Sequence, residues 1–270
     1  MTAEPKPLRI PDLRAMKAAG RRQAWLTCYD ALFARLLDDA GIDVLLVGDS
    51  VNQVLAGRET TLSATLDQMI YHAAAVCRGT KRALVVVDLP FLTYQVTVED
   101  AIRNAGRVLQ QTGAHAVKLE GGAPMAPTVQ ALVERGIPVV GHLGLTPQSI
   151  HQLGGYRVQG RDAAVAERLV ADARALEAAG AAAIVLELMP SAVAERVTQA
   201  VSVPTIGIGA GAGCDGQVLV LPDLLGLDPA FRPKFVKRYA ALADVVREAA
   251  ARYAAEVRDG TFPGPEHGFE

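Results

Sequence analysis

The chain is short of cysteine, short of aromatics, without a marked excess of either charge and without a long apolar run. Its three cysteines, Cys28, Cys77 and Cys214, are far apart and odd in number. They offer neither a zinc-ligand spacing nor a disulfide framework, which fits a reducing compartment. A net charge of -2 leaves no basic footprint, so nucleic acid is not an expected partner. No apolar stretch approaches the roughly 18 residues a membrane helix needs. The polar, proline-containing segment 1–8 has no apolar signal core. A soluble, cytoplasmic protein with no membrane partner is expected.

What is present is aliphatic. Half the residues are hydrophobic (50%) while only 5% are aromatic, which argues against disorder and for a core of small and branched side chains. A chain of 270 residues suits one α/β barrel, a fold that commonly takes about 250. Short apolar runs at 24–28, 44–47, 83–87, 116–119, 138–141, 183–188, 205–208 and, less clearly, 218–221 read as strands. Helical stretches at 31–39, 65–79, 98–112, 128–135, 163–179 and 191–200 lie between them. Runs this continuously apolar suit parallel strands covered by helices on both faces. Gly41, Gly113, Gly136 and Gly180 stand where helices should end.

The expected fold is a single-domain (β/α)8 TIM barrel spanning 1–270, with an open doubly wound sheet as the alternative. Residues 1–22 read as an N-terminal extension. Residues 233–270 read as extra C-terminal helices and a tail, with 234–257 forming one or two helices.

Barrel enzymes assemble their sites at the C-terminal ends of the strands. Here the second run leads into Asp49 and Ser50, the third into Asp88, and the fourth carries Lys118 and Glu120. The fifth leads into His142 and the sixth into Glu187. Acids are disfavoured in strands and costly to bury unpaired, so this convergence asks for a cation or a chemical role. Asp49, Asp88 and Glu120 suit a hard divalent cation such as Mg2+. Each residue also has a plainer reading. A lone acid after a strand is commonly a helix cap, Lys118 can pair with Glu120, His142 can be a satisfied core histidine, and Glu187 can pair with an arginine. Five successive strands with polar groups at one end favour a site over these separate explanations. The glycine-rich run 206–213 lacks the following helix, the paired acid and the Gly-Lys-Ser/Thr of a nucleotide fingerprint. Close backbone approach to a substrate, or tight packing, explains it better.

The same residues carry a resemblance. Val47-Gly48-Asp49-Ser50, Asp88-Leu89-Pro90-Phe91, Val117-Lys118-Leu119-Glu120-Gly121-Gly122 and the runs 141–149, 154–160, 206–211, 214–217 and 262–267 stand in order along the chain. From near Ala24 to the C-terminus the sequence resembles the ketopantoate hydroxymethyltransferase family. The resemblance implies a magnesium ion and one-carbon transfer from 5,10-methylenetetrahydrofolate to 3-methyl-2-oxobutanoate, giving 2-dehydropantoate in pantothenate biosynthesis. It assigns Asp49, Asp88 and Glu120 to the metal, and Asp49, Ser50, Asp88 and Lys118 to the oxo acid. It places Glu187 as proton acceptor and His142 in the pocket, and implies a homo-oligomer, a homodecamer in this family. Departures at Val51-Asn52-Gln53, Met189 and Pro222 spare all of these residues. A lyase of the phosphoenolpyruvate-mutase type is the rival enzyme, but its Lys-Cys-Gly-His motif is absent. An inert binding barrel is the rival outside catalysis.

Overall fold

The computed structural model describes residues 6–269; residues 1–5 of the expected N-terminal extension lie outside them. The chain forms two compact units that divide after Val220. The first begins with α1 (Ile10–Ala18) and then alternates: β1 (Gln23–Thr27), α2 (Ala31–Asp39), β2 (Val44–Val47), the single turn α3 (Val51–Val54), α4 (Leu66–Gly79), β3 (Leu84–Asp88), α5 (Val98–Thr112), β4 (Ala116–Glu120), α6 (Ala126–Val133), β5 (Val139–Gly144), the single turn α7 (Ile150–Leu153), α8 (Ala163–Ala178), β6 (Ala183–Glu187), α9 (Ser191–Ala200), β7 (Thr205–Ile208) and β8 (Gly216–Leu219).

The strands pair in sequence order, all parallel, and β8 returns to β1, so the sheet is a closed barrel and the open-sheet alternative falls. Local signals set the helix ends. The Asp30 and Asp162 carboxylates accept from free N–H groups at the starts of α2 and α8, and Thr97 does the same for α5. Gly113 closes α5 at φ 78°, a left-handed cap that suits glycine best.

The barrel interior is filled, not hollow. Trp25, Val44, Leu46, Leu84, Val86, Ala116, Val140, Ala183, Val185, Ile206 and Val218 form its core together with Leu13 of α1. The segment read as an extension therefore contains a plug, with Leu8 and Ile10 packed on the same cluster. Lys17 fixes the plug by donating to the carbonyls of Thr198, Val201 and Val203 while pairing with Asp215 at 2.9 Å. The sequence pattern missed this because nine residues are too few to show their partner.

The second unit holds α10 (Leu221–Leu225) and α11 (Leu242–Asp259). The helix expected from residue 234 starts at Leu242, and residues 234–241 are turns and irregular chain. No residue of α11 is buried, and Tyr239, Val245, Val246, Tyr253 and Val257 are exposed.

Candidate active site

Side chains alternate across a strand, so the residue two beyond an inward core residue also points inward. Val86, Ala116, Val140 and Val185 are core residues, and two positions on stand Asp88, Lys118, His142 and Glu187. The inner face thus turns from apolar to charged within one repeat. Register brings the groups side by side, with Asp88 opposite Lys118 and Glu120 opposite His142. On β2 the matching place falls to Gly48, where a β-carbon would lie 2.7 Å from Ser50 Oγ. That space lets the following turn deliver Asp49 and Ser50 to the rim.

The pairings differ from the plainer readings. Lys118 Nζ bonds Asp88 Oδ1 at 2.7 Å, one strand over, and not Glu120. Among the described residues Glu187 pairs with no arginine; its Oε2 lies 3.2 Å from His142 Nε2. His142 Nδ1 lies 3.4 Å from Glu120 Oε1. His142 is not a satisfied core histidine, because both ring nitrogens are buried and neither contact has hydrogen-bond geometry. Glu187 is more open than its apolar neighbours suggested, with its side chain 18% exposed. It lies at the C-terminal end of β6, partly open to solvent.

Burial and neighbouring charge set the electrostatics together. Asp49 is pushed up to about 8, first by burial and then by the charges of Asp88 and Glu120. Burial and Lys118 pull His142 down, yet the two flanking carboxylates outweigh them and raise it to about 9. Burial also works against the Lys118 ammonium, but Asp88, Glu120 and Asp49 hold it charged well above the usual lysine range.

Among the described residues, no three acidic, histidine or cysteine side chains stand close enough to hold an ion by themselves. A hard cation that keeps several waters needs no such cage, because one or two carboxylates plus substrate oxygens suffice. Three buried carboxylates against one ammonium, with Asp49 driven towards protonation by its neighbours, fit such a cation.

Sequence reasoning missed three residues. Tyr29 hydroxyl lies 2.9 Å from Ser50 Oγ. Gln148 donates to Asp49, and Tyr94 hydroxyl accepts from the Glu120 N–H. No local pattern marks Tyr29 or Tyr94. The glycine-rich run is a packing feature: β-carbons at Gly211 and Gly213 would meet Ser191 at 2.2 Å and Glu195 at 3.0 Å.

The family model described as ketopantoate hydroxymethyltransferase matches residues 7–265. The chain belongs to that family. A 3-methyl-2-oxobutanoate hydroxymethyltransferase of Nitratidesulfovibrio vulgaris (strain DP4) is 57% identical over 265 residues, covering 98% of this chain and 86% of the relative. One from Syntrophus aciditrophicus (strain SB) is 54% identical, covering 95% and 94%. The chain is accordingly a transferase of the hydroxymethyltransferase type. Among solved structures, a 2,3-dimethylmalate lyase of the PEP mutase/isocitrate lyase superfamily superposes with a TM-score of 0.60 at 19% identity, covering 97% of this chain and 91% of that one. A phosphonopyruvate hydrolase in complex with oxalate and Mg++ does so at 0.61 and 14%, covering 96% and 93%. At these identities the likeness concerns the fold alone.

Proposed function

We propose that this chain transfers the one-carbon unit of 5,10-methylenetetrahydrofolate to C3 of 3-methyl-2-oxobutanoate, through the enolate of the oxo acid. The observation that carries this reading is the inward row of Asp88, Lys118, Glu120, His142 and Glu187 on three neighbouring strands and the one beside them, reached at the rim by Asp49 and Ser50. Their spacing supports one small, doubly oxygenated anion bound beside one base.

Each residue has a separate task. Asp49, Asp88 and Glu120 would hold magnesium, which when bound supplies a Lewis acid for the ketone oxygen. Lys118 gives a fixed positive charge near the substrate carboxylate or the developing enolate. Ser50, steadied by Tyr29, donates a hydrogen bond to a substrate oxygen. Glu187 takes the C3 proton. His142, protonated at neutral pH with its value near 9, is a poor base and instead places a positive charge 3.2 Å from the Glu187 carboxylate. The enolate carbon then forms a bond to the folate methylene carbon. Both carbon–nitrogen bonds of the methylene bridge break, that to N10 before the attack to give the N5 iminium and that to N5 after it. One water supplies the hydroxyl oxygen, and its remaining proton and the C3 proton end on the two nitrogens of the departing tetrahydrofolate.

The test is formation of 2-dehydropantoate by the purified protein with both substrates and magnesium. Activity abolished by EDTA and restored by added magnesium supports the reading. Turnover indifferent to EDTA removes the metal, and no turnover at all removes the reaction. The cytoplasm as its place and a homodecamer as its assembly belong to the same proposal. Light scattering of the purified protein checks the assembly.

A further inference from the structure

The region around the carboxylates contains one residue whose bonding is complete. Gln148 is buried in the short 3₁₀ turn Pro147–Ser149 that follows β5. Its Nε2 donates to Asp49 Oδ2 at 2.9 Å and to the Leu89 carbonyl at 2.9 Å. Its Oε1 accepts from Tyr94 hydroxyl at 2.8 Å and from Gln95 Nε2 at 3.0 Å. Its backbone N–H donates to Glu120 Oε2 at 3.0 Å. Both amide hydrogens and both carbonyl lone pairs are therefore used, which is all the side chain can make. The partners also fix which way the amide faces. Reversed, its oxygen would face the Asp49 carboxylate and the Leu89 carbonyl, two acceptors that offer no proton.

From this geometry we infer that Gln148 is a positioning residue that holds Asp49 and Glu120, carboxylates from two different strand ends, in the orientation a magnesium ion requires. The inference rests on the metal site proposed above. One residue reaches one oxygen of each acid, by its side chain on Asp49 and its backbone on Glu120. The second oxygen of each acid is left free of Gln148. Tyr94 extends this bracket, because its hydroxyl accepts from the Glu120 N–H while donating to Gln148. A site held by such a support binds its ion without first ordering the ligands.

Gln148→Met keeps the length and most of the volume, removes both side-chain donors and leaves the backbone bond to Glu120. Calorimetric titration with MgCl2 alone should show affinity about tenfold weaker than wild type, the effect of one lost charge-assisted hydrogen bond. In turnover, the half-saturating magnesium concentration should rise by a similar factor, with kcat at saturating magnesium within about twofold of wild type. A residue with only a structural role would lower the melting temperature and leave the magnesium midpoint where it was. Tyr94→Phe, which loosens the bracket one bond further out, should weaken magnesium about threefold and serves if the methionine variant fails to fold. Unchanged magnesium affinity in a folded variant overturns the role of Gln148 alone. Wild-type protein that takes up no magnesium overturns the metal site and the bracket together.

Discussion

The two ends of the barrel solve the same problem in opposite ways. At the N-terminal end, Lys17 is surrounded by three carbonyls and Asp215, and Asp215 in turn accepts from the Thr205 N–H and hydroxyl. Both charges of that pair have their partners within the protein. At the C-terminal end, three carboxylates share one ammonium, and a buried histidine has two nitrogens without a hydrogen bond. A protein built only for stability would not leave such groups unsatisfied. The first end pairs its charges internally, and the second concentrates like charge around one ammonium and one histidine. The difference matches the division of labour expected in barrels of this kind.

Substitutions sharpen or break that contrast, and the largest effect belongs at the rim. Glu187→Gln is nearly isosteric but cannot accept a proton at neutral pH. It should lower overall transfer by about 10²–10⁴-fold with the melting temperature unchanged. Exchange of the C3 hydrogen of 3-methyl-2-oxobutanoate with deuterated water, followed by NMR, should fall by a similar factor. Wild-type exchange in the variant would transfer the role of base to another group.

Next in size is Lys118→Met. Its loss leaves Asp88 and its acidic neighbours without their only ammonium, so the KM for the oxo acid should rise about tenfold or more. The melting temperature of the metal-free protein should fall as well, since a buried partner is removed. Steady-state kinetics with a thermal melt in EDTA checks both, and an unaltered KM would make this lysine purely structural.

Lys17→Met probes the other end. It should cost about 3 kcal/mol, the lower end of the range for breaking a buried pair, because this pair is only partly buried and Asp215 keeps its Thr205 bonds. The melting temperature should drop by roughly 10 °C while kcat at 25 °C stays at the wild-type value. Loss of activity without loss of stability would erase the distinction between the two ends.

The smallest effect is a slope with pH. His142 rises from an ordinary value of 6.5 to about 9 in the folded protein, so the fold binds its proton more tightly than the unfolded chain does. Its contribution is complete below about pH 6.5 and disappears as pH climbs through 9. Asp49, raised to about 8, has the same sign: its folded form binds a proton that the unfolded chain releases near pH 4. The metal-free protein should therefore melt several degrees lower at pH 9 than at pH 6.5, and His142→Gln should flatten that slope. A melting temperature that rises across this range would reverse the assignment.

The sequence by itself determined the barrel and the end at which its polar groups gather. Continuous apolar runs alternating with amphipathic stretches leave few folds that bury both faces of a parallel sheet, and acids at strand ends are legible because strands avoid them. Asp49, Asp88, Lys118, Glu120, His142 and Glu187 stood out as polar groups gathered at one set of strand ends, whereas Ser50 came only with the family resemblance. Who pairs with whom was not. Lys118 and Glu120 lie two apart on one face of β4, yet register sets Asp88 opposite Lys118 and His142 opposite Glu120. Only the tertiary structure decides such pairings, because they depend on the relative shift of neighbouring strands, which no local pattern encodes. The plug of α1 and the bracket of Gln148 belong to the same class. Leu13 and Gln148 are unremarkable in their own segments, and their roles come from groups that the folded chain brings to them: for Leu13 from Gln23 to as far along as Val218, and for Gln148 from 28 to 99 positions away.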